Sequence, residues 1–87
     1  KSINDIIYLM ARIQIYTTPT CAYCKMAKEY FKSKNLEYVE YDVASDAQKR
    51  MEMVEKTRQM GVPVIDIDGK IVIGFDRSKI NQLLGIN

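Results

Sequence analysis

Residues 18–24 read Thr-Pro-Thr-Cys-Ala-Tyr-Cys and contain the only two cysteines of the chain, Cys21 and Cys24. They lie between a short apolar run at residues 13–16 and a segment at residues 26–34 that has the spacing of a helix. Residues three apart on a first helical turn are neighbours, so the two sulfurs can join in a disulfide with little backbone movement. A Cys-x-x-Cys pair at a strand-to-helix turn therefore indicates a redox site.

The two cysteines are expected to differ in their chemistry. Cys21 lies near the exposed N–H groups and the positive dipole end of the predicted helix, which favours the nucleophilic thiolate. Cys24 is one turn further in, so we expect it to be more buried, with a higher pKa. We predict that Cys21 attacks a target disulfide and that Cys24 resolves the mixed disulfide. Lys25 and Lys28 either add positive potential near Cys21 or are solvated surface lysines.

Composition restricts the possible classes of function. A chain of 87 residues with 47% apolar residues is expected to form one globular domain. The net charge of +2 comes from basic residues scattered among acidic ones, which predicts no nucleic-acid or membrane binding. We find no membrane-span-length apolar run and no signal-peptide pattern, and therefore expect a cytoplasmic protein. The chain has no histidine, so proton transfer must use thiols, carboxylates, lysines or water.

Residues 1–12 are expected to be an extension in front of a domain at residues 13–87. The apolar residues of the extension have i, i+3, i+4, i+7 spacing, as on one face of a helix. They are Ile3, Ile6, Ile7 and Met10. A short docked helix, a flexible extension and a partner-binding helix all remain open.

The first half of the domain reads as strand, helix, strand. Residues 13–16 alternate and are β-branched, and a helix is predicted from about Ala22 to Lys34, with Ala27 and Phe31 on its core face. Asn35 is a candidate left-handed stop. Residues 36–43 are rich in Tyr and Val and predict the second strand.

A second helix is predicted to begin at a capping box formed by Ser45 and Gln48. Its expected core face consists of Ala47, Met51 and Val54, and it is expected to end at Gly61.

The last part of the chain predicts a hairpin and a final helix. Residues 62–67 and 70–73 read as strands joined by a two-residue turn at Asp68 and Gly69. Asp76 is a candidate N-cap for a helix that ends at Gly85. The core face of this helix is predicted to consist of Ile80, Leu83 and Leu84. The resulting order, β-α-β-α-β-β-α, predicts an α/β fold with a four-stranded mixed sheet and helices on both faces. The first two strands are expected to be parallel.

Three motifs together resemble those of the glutaredoxins, which have the thioredoxin-like fold. They are the cysteine motif at residues 18–24, Gly-Val-Pro-Val at residues 61–64 and Ile-Gly-Phe-Asp at residues 73–76. The resemblance covers roughly residues 13–86. It implies a thiol–disulfide oxidoreductase that reduces protein or glutathione mixed disulfides.

The resemblance also implies roles for residues around the two cysteines. Pro63 is expected to follow a cis peptide bond and to lie beside the dithiol, and Thr20 and Tyr23 are expected to help shape the active site. Ala22 stands where the family most often has proline, which leaves the reduction potential open within the broad glutaredoxin-to-thioredoxin range.

Glutathione is implied as a co-substrate, with no tightly bound cofactor. The backbone of Val62 would bind it like an added strand. Arg58 or Gln59, late in the second helix, would bind its glycine carboxylate. The start of the last helix would bind its γ-glutamyl end, through residues Gly74, Phe75 and Asp76. Arg77 stands where the family usually has an acid, and it would repel the glutathione ammonium.

Alternatives to a glutathione-dependent monomer remain. The Gly74-Phe75 start also resembles redoxins that are recharged by thioredoxin reductase and donate electrons to ribonucleotide reductase. Two cysteines supply half of a four-thiolate site, so no metal site is predicted within one chain. A dimer that shares a 2Fe–2S cluster, with glutathione supplying the missing thiolates, stays open. A structural protein with a vestigial site is the third class.

Overall fold

The computed structural model describes residues 12–86, so the predicted helical face of residues 3–10 lies outside the described residues. The strands are β1 (Ile13–Thr17), β2 (Val39–Asp42), β3 (Val64–Ile67) and β4 (Lys70–Ile73). The helices are α1 (Ala22–Ser33), α2 (Ala47–Thr57) and α3 (Arg77–Leu84).

The four strands form one mixed sheet in the order β2-β1-β3-β4. β1 is parallel to β2 and antiparallel to β3, and β3 pairs with β4 in an antiparallel hairpin. The hairpin turn has φ values of 51° at Asp68 and 89° at Gly69, the left-handed pair that a two-residue turn requires. The predicted α/β architecture and the parallel first pair of strands are confirmed. β2 and β3 are both shorter than predicted.

Alternate residues of each strand point to opposite faces of the sheet, so both faces carry apolar side chains. Helices cover both faces. α1 and α3 cover one face, where the buried residues are Ile13, Ile15, Ala27, Tyr30, Phe31, Leu36, Ile65, Ile67, Val72, Ile80 and Leu84. α2 covers the other face, where the buried residues are Tyr16, Val43, Met53 and Val64. The predicted core residues of the first and last helices are confirmed. Asn35, with φ of 56°, follows α1 as expected.

The predicted start of α2 is wrong by one residue. Asp46, not Ser45, is the N-cap, and its carboxylate accepts the Lys49 N–H at 3.0 Å. The Ser45 N–H and hydroxyl both donate to the Asp42 carbonyl, at 3.3 and 3.4 Å. Because Ser45 belongs to the preceding turn, its side chain is not available to cap the helix.

The predicted core face of α2 is wrong at Ala47 and Met51 but right at Val54, which is partly buried against the core, and the predicted end of the helix is also wrong. Met53 is 1% exposed, whereas Met51 is 64% exposed and Ala47 is on the surface. The inner face has the regular spacing of a helix and consists of Met53 together with three charged residues, namely Lys49, Glu52 and Lys56. The helix ends at Thr57 and not at Gly61, because Arg58 adopts a left-handed conformation with φ of 58°.

A polar cluster joins α2 to the sheet. Asp66 on β3 is only 4% exposed, and its carboxylate accepts the Lys56 ammonium at 3.0 Å and the Gly69 N–H at 2.7 Å. The same ammonium donates to the Tyr16 hydroxyl at 2.7 Å, and that hydroxyl donates to Glu52 at 2.8 Å. Burial would lower the pKa of Lys56, but the hydrogen bonds to Tyr16 and Asp66 outweigh it and raise the pKa. Lys56 is thus protonated at neutral pH, and its ammonium is bonded to both Asp66 and Tyr16.

We predict that Asp66→Ala lowers the free energy of unfolding by about 2–3 kcal/mol, because it removes the acceptor of the Gly69 N–H and the carboxylate partner of the Lys56 ammonium. Asp66→Asn keeps an acceptor for Gly69 and should have a smaller effect. Urea denaturation of both variants tests this. Glu55→Ala, on the exposed side of α2, is the control and should change stability by less than about 0.5 kcal/mol. Equal stability of Asp66→Ala and the parent protein would contradict the assignment.

Candidate active site

The sulfur of Cys21 caps the N-terminus of α1. Cys21 has extended backbone angles, and its Sγ accepts the Cys24 N–H at 3.1 Å. The thiol of Cys21 also contacts the Val62 carbonyl oxygen, 3.8 Å from Sγ, as a donor. When the thiol ionises, the bond from the Cys24 N–H becomes charge-assisted and stronger. The helix start therefore presents a hydrogen-bond donor to the sulfur that is expected to attack.

Cys24 lies one turn further into α1 and is only 1% exposed. Its pKa is raised to about 12, first by burial and then by its hydrogen bond to Cys21. The Thr18 backbone and the charge of Lys28 act in the opposite direction. The two thiols thus differ in access and in environment, as the sequence predicts.

The loop before β3 brings Val62 and Pro63 to the dithiol. The Val62–Pro63 peptide bond is cis, as the sequence resemblance implies. The Gly74 N–H donates to the Pro63 carbonyl at 2.8 Å, which links the end of β4 to this loop. The structure therefore joins Cys21, Val62, Pro63 and Gly74 through direct contacts.

Two of the candidate glutathione contacts lie after α2 and not within it. Arg58 is exposed at the left-handed cap. The Gln59 side chain accepts the Gly61 N–H at 2.7 Å and donates to the Gly61 carbonyl at 3.1 Å and to the Thr57 hydroxyl at 3.2 Å. A Cβ at position 61 would lie 2.8 Å from the Gln59 amide oxygen, so a larger residue there would displace the Gln59 amide. Gln59 therefore shapes the loop that leads to Val62.

The start of α3 carries the remaining candidates. Gly74 has φ of 84°, and the Phe75 ring lies 5.8 Å from the Tyr30 ring. Asp76 is the N-cap, and its carboxylate accepts the Lys79 N–H at 3.1 Å. The Arg77 guanidinium lies over the Tyr30 ring at 4.8 Å from its centroid. The positive charge of Arg77 thus lies at the position where the family resemblance implies an acidic residue.

Thr20 and Tyr23 both lie on the exposed side of the site. Tyr23 is 63% exposed on the first turn of α1, and Thr20 is exposed in the turn before Cys21. The role of Thr20 and Tyr23 in shaping the active site stays a prediction.

Sequence reasoning missed Thr17 and Glu40. The hydroxyl of Thr17 donates to the Glu40 carboxylate at 2.7 Å, and the Lys28 ammonium donates to the same oxygen at 2.9 Å. Their only signal in the sequence is a polar residue at the end of β1 and an acid in β2, neither of which belongs to a motif.

Residues 12–86 contain neither a cluster of metal ligands nor a membrane-spanning helix. In that part of the chain, no three Cys, Asp or Glu side chains converge in a way that could hold a metal ion. Across the same residues, no helix has the length and apolar character needed to cross a membrane.

Comparison with known proteins identifies the family. The Glutaredoxin family profile matches residues 13–72. The chain belongs to the glutaredoxin family. It is 51% identical over 72 residues to an uncharacterized glutaredoxin-like 8.6 kDa protein in the rubredoxin operon of Clostridium pasteurianum, an alignment covering 83% of this chain and 96% of that protein. It is 39% identical over 67 residues to glutaredoxin 3 of Escherichia coli K12, covering 77% and 81% of the two chains.

A solved structure supports the same assignment for this glutaredoxin. The crystal structure of the thioredoxin-like protein BC3987 is 38% identical and superposes with a TM-score of 0.77, over 82% of this chain and 97% of that one. The predicted family and thioredoxin-like fold are confirmed, and the protein is a glutaredoxin-like redox protein.

The burial of Cys24 predicts selective alkylation of the reduced protein. At pH 8, iodoacetamide should modify Cys21 first, with Cys24 slower by about 100-fold or more, because only a thiolate reacts and a pKa near 12 leaves about one thiolate in ten thousand. Peptide mass spectrometry identifies the modified residue. In guanidinium, where burial is removed, both cysteines should react. Equal labelling of the two cysteines in the folded protein would contradict the assignment.

Proposed function

We propose that this glutaredoxin is a thiol–disulfide oxidoreductase that reduces protein or glutathione mixed disulfides through Cys21 and Cys24. The observation that carries the proposal is the pairing of an accessible sulfur with a buried one. The Sγ of Cys21 accepts a backbone N–H at 3.1 Å, and the Cys24 side chain lies beneath it in the same helical turn.

The reaction consists of two exchanges. The Cys21 thiolate attacks a target disulfide, forms a bond to one sulfur and releases the other as a thiolate. The Cys24 thiol then loses its proton to solvent and attacks Cys21 Sγ. This second step forms the Cys21–Cys24 disulfide and expels the fully reduced target. Two electrons pass from the protein dithiol to the target disulfide.

The Val62 backbone is proposed to dock the substrate. Its carbonyl oxygen lies 3.8 Å from Cys21 Sγ, so a peptide that paired with this segment like an added strand would carry its own sulfur to Cys21. Side-chain bonds from Gln59 support the same segment. Backbone pairing of this kind accepts many sequences, which suits a reductase of several protein disulfides.

Substitution of each cysteine tests the two roles. Cys21→Ser should abolish turnover of a mixed-disulfide peptide, because the attacking atom is lost. Cys24→Ser should still attack and should accumulate a mixed disulfide with a protein target that is not released. Intact-protein mass spectrometry detects the adduct. Full turnover by Cys21→Ser would contradict the assignment of roles.

We further propose that reduced glutathione recharges the oxidised protein and that Arg77 weakens this reaction. The guanidinium lies over Tyr30 beside the N-cap Asp76, where the ammonium of the γ-glutamyl end is expected to bind. The positive charge of Arg77 repels the glutathione ammonium and so disfavours the binding of glutathione. The alternative is that thioredoxin reductase supplies the electrons, in which case the charge at position 77 need not oppose the reductant.

The charge of Arg77 can be reversed to separate these reductants. Arg77→Glu should raise kcat/KM for glutathione, measured with glutathione reductase, by about five- to tenfold, since a repulsion becomes an attraction worth about 1 kcal/mol or more. Lys79→Glu, an exposed site one turn away from the N-cap, makes the same change of net charge and should have a smaller effect. Rapid reduction of the parent protein by thioredoxin reductase, with no gain for Arg77→Glu in glutathione, would favour the alternative.

A further inference from the structure

A buried hydroxyl and an ammonium converge on one carboxylate oxygen beside the dithiol. Glu40 Oε2 accepts the Thr17 hydroxyl at 2.7 Å and the Lys28 ammonium at 2.9 Å. Thr17 is buried at the end of β1, and Glu40 lies on the neighbouring strand β2. We call these three residues the Thr17–Glu40–Lys28 cluster. The carboxylate holds the long lysine side chain in one place against the sheet.

The cluster places a positive charge on the side of α1 that carries the resolving cysteine. Lys28 follows Cys24 by four residues, and residues four apart on a helix are neighbours on one face. Cys24 is buried, and only 28% of the Lys28 side chain is exposed. Solvent therefore screens the interaction between this ammonium and a thiolate at Cys24 less than it would between surface groups.

Two groups favour a Cys24 thiolate, first the Thr18 backbone and then Lys28, and of these two only Lys28 carries a charge. Burial and the neighbouring Cys21 raise the pKa of Cys24, whereas the Lys28 charge lowers it, as does the Thr18 backbone. The hydrogen bond to Glu40 raises the pKa of Lys28, and Tyr38 adds a smaller contribution.

The carboxylate of the cluster is also charged. The hydrogen bond from Lys28 lowers the pKa of Glu40 most, and the one from Thr17 lowers it further, against burial and Asp42. Both members of the ion pair are thus charged at neutral pH.

We propose that Lys28, held by Glu40 and Thr17, is a positioning residue that speeds the attack of Cys24 on the mixed disulfide. This inference rests on the proposed thiol–disulfide exchange and assigns a residue to its second step. The Cys24 proton leaves to solvent, and the ammonium stabilises the resulting thiolate. The new bond joins the two protein sulfurs, and the bond between Cys21 and the target sulfur breaks. Lys28 neither gains nor loses a proton.

The two steps can be measured separately with dithiobis(nitrobenzoate), whose thiolate is coloured. Attack by Cys21 releases the first coloured thiolate in a phase that depends on reagent concentration. Attack by Cys24 releases the second in a concentration-independent phase.

Lys28→Gln should slow the second phase about threefold between pH 7 and 9 and leave the first within about 1.5-fold. Removing the Lys28 charge is expected to lower the population of the Cys24 thiolate about tenfold. The rate of the second phase falls less than this, because a more basic thiolate is a better nucleophile.

Three controls make the test specific. Lys28→Arg keeps the charge and should restore the second phase to within about 1.5-fold of the parent. Lys25→Gln removes an equal charge next to Cys24 in sequence but on the exposed side of α1, and it should leave the second phase unchanged. Lys28→Met keeps the apolar stem and provides a second neutral variant.

The outcomes distinguish this inference from the proposed function. If the parent protein has no concentration-independent phase, or if Cys24→Ser retains it, the dithiol mechanism itself is wrong. If the parent has that phase and both neutral Lys28 variants keep its rate, the role of Lys28 is overturned. Equal slowing by Lys25→Gln and Lys28→Gln would also overturn it, because the effect would then be one of net charge.

Discussion

The hydrogen bond from the Cys24 N–H to Cys21 Sγ is the contact on which the site depends. It makes the sulfur of Cys21 the cap of α1, and the same sulfur is the proposed attacking atom, so one residue determines the start of the helix and carries the proposed chemistry. Serine, threonine or aspartate is usual at such a cap. The sulfur here satisfies the same backbone donor, and the adjacent Val62 carbonyl fixes where a substrate would meet it.

Much of the fold could be predicted from the sequence, because the residues that determine most helices, strands and turns are close together in the chain. Alternating β-branched residues predict β1, and Asp68-Gly69 predicts the hairpin turn with its two left-handed residues. α2 is different, since its inner face includes Lys56 and Glu52, which a search for apolar periodicity assigns to solvent. Their partners Tyr16 and Asp66 lie on strands, so only the assembled sheet explains why these charges face inward.

Some residues of the site could likewise be located from the sequence, and others could not. The cysteine pair, Pro63 and Asp76 belong to short motifs and could be located from the sequence. Glu40 could not, because its contact with Thr17 joins residues 23 positions apart and depends on the pairing of β1 with β2. Arg58 and Gln59 were placed in a helix because Gly61 is the expected terminator, whereas the left-handed residue is Arg58 itself.

The bonds from Gln59 to Gly61 have a consequence for the thermodynamics of recognition. These hydrogen bonds stabilise the conformation of the segment before Val62, and they form without a bound partner. A partner that lies against this segment therefore loses its own conformational entropy on docking, while the glutaredoxin loses little. Such preorganisation would lower the free-energy cost of binding an unstructured peptide in the proposed exchange.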